Sequence, residues 1–193
     1  LDFKGVLRWP IPVDRLNGKI SWKIQDKATA ISVSELNISN PHLSGSLNAN
    51  YVMDGIKGGY LDLSGKFDNG NAKYALHYYP IMLGEATLHW LDTSILEGRA
   101  NDINLTVKGR LGDFPFVDHK NRPDPKLGLF KVTAKLSDVL LEYGTGWPVI
   151  TNLGLNLLFL LLLLLPRLFQ QRYRHNPRFH LGYLQFYQHS RLN

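Results

Sequence analysis

Cysteine is absent from all 193 residues. That excludes a disulfide framework and a thiolate metal site, and it leaves redox chemistry silent about compartment. No glycine-rich phosphate loop is present, and no HxxxH or HxH pair. The four histidines of the body, His42, His77, His89 and His119, stand apart in the sequence and read as surface or loop residues rather than ligands. Acidic residues stop before residue 166: residues 166–193 hold five Arg, no Lys and no acid, whereas residues 1–165 hold 17 Lys plus Arg against 16 Asp plus Glu. The net charge of +6 therefore belongs mostly to the tail. A near-neutral body argues against a nucleic-acid surface, which carries its basic charge on the recognition face. The longest apolar run, Leu157 to Leu165, has nine residues, against the roughly 20 that a spanning helix needs. The chain opens on Leu1 without a signal-like segment and is expected to be an interior piece of a longer protein.

What is present is alternation. Leu16, Gly18, Ile20, Trp22 and Ile24 are interleaved with polar residues, as are Leu43, Gly45, Leu47, Ala49 and Tyr51, and then Leu61, Leu63, Gly65 and Phe67. Each run has the period of a strand with one dry face. Turn text separates them: Asp54-Gly55, Lys57-Gly58-Gly59 and Asp68-Asn69-Gly70-Asn71. Ala72, Tyr74, Leu76 and Tyr78 read as a returning strand. Ile103, Leu105, Val107, Gly109 and Leu111 alternate next, then Phe130, Val132, Ala134 and Leu136, and last Leu153, Leu155, Leu157 and Phe159. With 44% hydrophobic residues, 17 Gly and 10 Pro, the composition suits a β-rich segment.

One helix interrupts the strands. Leu83, Thr87, Trp90, Leu91, Ser94 and Ile95 recur at steps of three and four, with Gly98 expected as the C-terminal stop. Trp90 and Leu91 are expected to anchor this helix, because a short helix needs tertiary burial to persist. Between residues 113 and 127, three prolines among charged residues predict a loop pinned by Phe114 and Phe116 around Pro115.

Catalytic patterns are weak. Asp113 and Asp118 flank the proline-rich loop and Asp92 and Glu97 stand near the helix end, but nothing adjacent in sequence would tune one carboxylate against another. Ser44-Gly45-Ser46 and Leu63-Ser64-Gly65 lie in strands and not at the strand-to-helix turn that a nucleophile elbow requires. The tryptophans, Trp9, Trp22, Trp90 and Trp147, read as packing residues before they read as a carbohydrate platform. The expectation is a non-enzymatic chain without cofactor or metal. On pattern alone its apolar face is covered by a second sheet or by the helix, and an open trough is the alternative.

Several ordered landmarks carry a resemblance. Tyr79-Pro80, Trp90-Leu91, Gly98, Gly109, Phe114-Pro115-Phe116, Gly128-x-Phe130 and Tyr143-x-x-Gly146-Trp147-Pro148 resemble the central region of YhdP-like members of the AsmA-like (AsmA/TamB) family. The resemblance covers residues 1–159. It implies a curved, meandering antiparallel sheet forming a β-groove, with one short helix. It also implies phospholipid as partner and transport between inner and outer membrane in support of the outer-membrane permeability barrier. The implied location is a periplasmic, inner-membrane-anchored protein of a Gram-negative bacterium, the anchor lying elsewhere in the protein. The resemblance tips the balance from closed core to lipid trough, and the residues expected to line it are Ile20, Trp22, Leu47, Leu63, Leu105, Val107 and Val132. Pro80, Trp90, Leu91, Gly98, Gly109, Phe114, Pro115, Phe116, Trp147 and Pro148 are the structural landmarks.

Residues 160–193 depart from that pattern. Alternation ends, Lys and acids vanish, and Leu160 to Leu165 are six consecutive leucines closed by Pro166. A shifted reading frame would bring all three changes together. The functional alternative is a membrane-surface element with Leu and aromatic residues inserted and Arg at the headgroups.

Overall fold

The computed structural model describes residues 1–2, 6–25, 27–120, 122–144, 146 and 148–160. Its strands are β1 (Arg15–Gln25), β2 (Ala28–Asn40), β3 (Leu43–Met53), β4 (Tyr60–Asp68), β5 (Gly70–Asn71), β6 (Ile95–Arg110), β7 (Gly128–Leu141) and β8 (Ile150–Leu160). They form one antiparallel sheet in the order β1-β2-β3-β4-β6-β7-β8, with β5 pairing β6 beyond the end of β4. The sheet is open: β1 and β8 end the order without pairing to each other. The mainly β fold expected from alternation is what the chain adopts, and among the described residues helices are confined to the segment between β5 and β6 and a short turn after β6.

The strands are bent by bulges. Glu35, Asp102, Asp138 and Asn152 take positive φ, between 50° and 55°, inside β2, β6, β7 and β8. Pairing slips beside all four of them, between Val33 and Leu36, Asn101 and Asn104, Leu136 and Val139, and, opposite Asn152, Val139 and Leu141. Such a residue adds one unit to its strand and increases local bend and twist, which curves the sheet. The same side-chain device closes two of the bulges: Asn37 Nδ2 donates to the Glu35 carbonyl and Asn104 Nδ2 to the Asp102 carbonyl, both at 2.8 Å.

The segment between β5 and β6 corrects two sequence expectations and extends a third. Ala72–Tyr78 is a 3-10 helix and not a returning strand. The Asn71 side chain accepts from the Lys73 N–H at 3.1 Å and so starts a helical turn where the strand pattern would otherwise run on. A second 3-10 turn, Ile81–Leu83, leads into helix α1 (Glu85–Ser94). The helix stops at Ile95, whose N–H bonds the Leu91 carbonyl as the chain turns extended. Gly98 is thus no helix stop. It sits in β6 with φ 150°, where a Cβ would meet Val139 Cγ2 at 3.1 Å and Ala72 Cβ at 3.4 Å, so its service is close packing. The expected helix face keeps Leu83, Leu91 and Ser94, the last 2% exposed, and gains Leu88, which the sequence pattern did not include. Leu83 and Leu88, 3% and 6% exposed, form the dry cluster, with Leu91, Tyr79, Phe114 and Phe130 packed on it, while Trp90 is half-buried. Burying two Leu side chains contributes about 3–6 kcal/mol, enough to hold a helix of this length in place.

Around this cluster the proline loop docks as expected. Phe116 is 2% exposed, and Phe114 meets Phe116 and Phe130 edge-on at 5.3 and 5.6 Å. The Phe114–Pro115 bond is cis. Trp147 and residues 161–193 lie outside the described residues, so the expectations for that tryptophan and for the tail rest on sequence; Pro148 is exposed just before β8.

Candidate functional site

Antiparallel register puts directly opposed residues on the same side of a sheet. Across six strands Ile20 faces Val33, Val33 faces Ala49, Ala49 faces Leu63, Leu63 faces Val107 and Val107 faces Phe130. A neighbouring row runs Leu36, Leu47, Gly65, Leu105 and Val132. On the other flank Trp22, Ile31, Tyr51, Leu61 and Gly109 are in line. All seven residues proposed from sequence, Ile20, Trp22, Leu47, Leu63, Leu105, Val107 and Val132, therefore share one face. At about 4.8 Å between strands the rows extend about 24 Å.

The opposite face is polar in the same registration. Ser21, Ser32, Asn50, Asp62 and Lys108 form one line, with Ser32 Oγ donating to Asn50 Oδ1 at 2.8 Å and Lys108 Nζ 2.9 Å from Asp62. The neighbouring Asp62 carboxylate raises the Lys108 pKa, through its hydrogen bond first and its charge second. At one end, Arg110 makes a forked pair with Asp54 at 3.0 and 3.1 Å, which lowers the Asp54 pKa. Among the described residues, depressions of 690 and 430 Å³ are lined largely by polar and charged groups such as Asn69, Asn101 and Asp138 in the first and Lys57, Arg110 and Asp113 in the second. Among the described residues no group of three or more His, Cys, Asp or Glu could hold a metal ion.

The apolar face is covered unevenly. Over β7 it is dry: Ala134 and Val139 are buried, and the α1 cluster reaches Phe130. Trp90 Nε1 donates to the Tyr143 carbonyl at 3.1 Å and its ring stands edge-on to the Tyr143 ring, which ties the helix to the end of β7. Burial raises the Tyr79 hydroxyl pKa, and the Asp92 charge adds to the shift. Toward β1 the cover is lost. Ile20, Trp22 and Ile24 are 60%, 69% and 74% exposed, and Leu47 and Leu63 are half-buried.

Aromatic rings smooth this face where glycine leaves it bare. Phe67 lies over Gly45 and Gly65, since a Cβ there would come within 2.5 and 2.7 Å of its ring. Phe116 does the same for Gly109 and Gly128, at 2.6 Å each. The recurring Leu-x-Gly text thus builds a floor of low relief.

Sequence reading missed β2, which supplies Ile31, Val33, Leu36 and Ile38 to the face. Its two short alternations, Ile31 with Val33 and Leu36 with Ile38, are out of phase by one residue. The slip is the Glu35 bulge, and a phase change at a polar residue is the signal that would have found the strand.

Residues 1–160 match the family model described as YhdP protein. The chain belongs to the YhdP family. Over 161 residues it is 20% identical to the intermembrane phospholipid transporter YhdP of Escherichia coli (strain K12), a match covering 83% of this chain and 12% of that protein. The chain thus spans about one-eighth of the length of that relative. No solved structure matches it. Among the described residues no helix is long and apolar enough to cross a membrane, a statement that leaves membrane-crossing strands aside.

Proposed function

We propose that this segment forms part of an apolar trough along which phospholipid acyl chains pass between the inner and outer membranes of a Gram-negative envelope. In this reading the full-length protein is non-enzymatic, periplasmic and anchored in the inner membrane, and its traffic maintains the outer-membrane permeability barrier. The observation that carries the reading is the open apolar face, registered across six strands and backed by a polar one. An isolated sheet in water would leave that face wet at a cost of about 25 cal/mol per Å², so something apolar has to occupy it. Acyl chains fit because each CH₂ moved onto the face gains about 0.8 kcal/mol without a directional contact, so the chain is held and still slides. A width of about 24 Å exceeds the roughly 15 Å that one leaflet of acyl chains occupies in a bilayer. The relative named a phospholipid transporter gives the same direction. The second reading is an envelope scaffold with a closed core, and the buried stretch at Ala134 and Val139 favours it locally.

The test is charge on the floor. Leu47→Asp and Leu63→Asp in the full-length protein, with Ser64→Asp on the opposite face as control, should block lipid movement in the first two cases only, all three proteins remaining folded and abundant. Normal envelope integrity in the floor variants would count for the scaffold.

A further inference from the structure

We propose that His42, seated beside His77, is an acid-sensitive latch that holds the Ala72–Tyr78 helix against the turn between β2 and β3 when neutral and releases it when protonated. His42 stands in that turn and its ring stacks on Tyr74 of the helix at 3.6 Å, with only 2° between the planes. The His77 ring centroid is 5.9 Å from that of His42. Both Nδ1 atoms are buried and have no hydrogen-bond partner among the described residues. A neutral imidazole can leave one ring nitrogen as an unused acceptor, whereas an imidazolium must place a donor there, facing no acceptor. Burial and the nearby His77 both lower the His42 pKa, and Asp14 opposes them.

The surroundings would transmit the change. The helix is held to the turn by the His42–Tyr74 stack, by Asn40 Nδ2 donating to Tyr78 Oη at 3.0 Å, and by the Asn71 N–H donating to the His42 carbonyl at 2.9 Å. The same Asn40 amide donates to the Pro12 carbonyl at 2.8 Å, so the turn also ties down the chain before β1. Charged or titratable groups on the elements around the pair are Asp14 before β1, Lys73, Tyr74 and Tyr78 in the helix, Glu85, His89 and Asp92 in α1, and Glu97 and Arg99 in β6, the last two elements both packing on the helix. Of these Asp14, and within the pair His77, act on His42. With the closed form holding His42 below its ordinary value, the latch is whole above about pH 6.5, and the open form binds the proton preferentially as pH falls. The device works whatever the apolar face carries.

The test is amide hydrogen exchange of the full chain at pH 7.5 and pH 5.5, corrected for intrinsic rates. Exchange in residues 71–79 should rise severalfold at the lower pH, while β3 and β4 keep their protection. His42→Phe keeps the ring stack and should remove that dependence. Because the variant could fold poorly, the imidazole proton resonances of the unaltered chain provide a second measurement, with His42 expected to titrate below the ordinary histidine range. Unchanged protection between the two pH values, a dependence that survives in a folded His42→Phe chain, or His42 titrating in the ordinary range would each overturn the latch.

Discussion

Phe67 covers Gly45 across the β3–β4 pair: a Cβ at Gly45 would stand 2.5 Å from Phe67 Cδ1 and 2.2 Å from the Lys66 carbonyl oxygen. No side chain fits there unless the strands move apart. Gly45→Ala should therefore destabilise the chain by about 1–3 kcal/mol, the usual cost of overpacking. Among the described residues a Cβ at Gly154 in β8 would meet only the Leu136 carbonyl oxygen, at 3.8 Å, so Gly154→Ala should stay within about 0.5 kcal/mol. Urea denaturation of the two variants side by side measures the contrast.

The tie between helix and sheet gives a second prediction. Trp90→Phe retains an aromatic ring and loses the indole donor to the Tyr143 carbonyl, which should cost about 1 kcal/mol. Leu88→Ala removes a buried side chain from the dry cluster and should cost about 2–5 kcal/mol. Chemical denaturation that ranked Trp90→Phe as the more damaging would mean that the helix is anchored by its indole and not by its leucines.

A third concerns acid. Asp118 accepts from the Lys120 and Arg122 N–H groups at 2.8 and 2.9 Å and from the Arg122 guanidinium, contacts that pull its pKa down to about 2. Its folded value is depressed, so the loop order it supplies is complete above about pH 4 and is lost as pH falls toward 2. Hydrogen-exchange protection in residues 117–124, corrected for intrinsic rates and followed from pH 5 to pH 2, should show that loss. Asp118→Asn, which keeps the shape without the charge, should show loop protection that changes much less with pH over this range.

Alternation made most of the sheet readable, since β1, β3, β4, β6 and β7 each keep one phase for several residues, and that phase also placed all seven floor candidates on one face. Reading failed where backbone geometry overrode periodicity. Glu35 shifts the phase of β2 and hid it. At Asn71, one side-chain cap turned Ala72, Tyr74, Leu76 and Tyr78 into a 3-10 helix despite their strand-like spacing. Gly98 resembled a helix stop because glycine serves both helix ends and tight packing between strands, and sequence does not separate the two uses. The uneven cover of the apolar face, dry over Ala134 and bare at Trp22, is a tertiary property that a pattern of apolar residues cannot express.

For residues 160–193 we propose a shifted reading frame, and the family match ending at residue 160 agrees with it. Resequencing the gene across the codons for Leu157 to Pro166 should reveal another frame that resumes alternating Leu-x-Gly text. If neither remaining frame does so, the Arg and aromatic residues of this stretch are to be taken as a membrane-surface element.

Site-specific photocrosslinking in the full-length protein tests the trough most directly. A photoreactive side chain at Ile20, Leu47, Leu63 or Val107 should capture phospholipid detectable by mass spectrometry, and the same group at Ser21, Asn48, Ser64 or Thr106 should not. Equal capture on both faces, or capture of protein alone from the apolar face, would contradict a lipid path along this sheet.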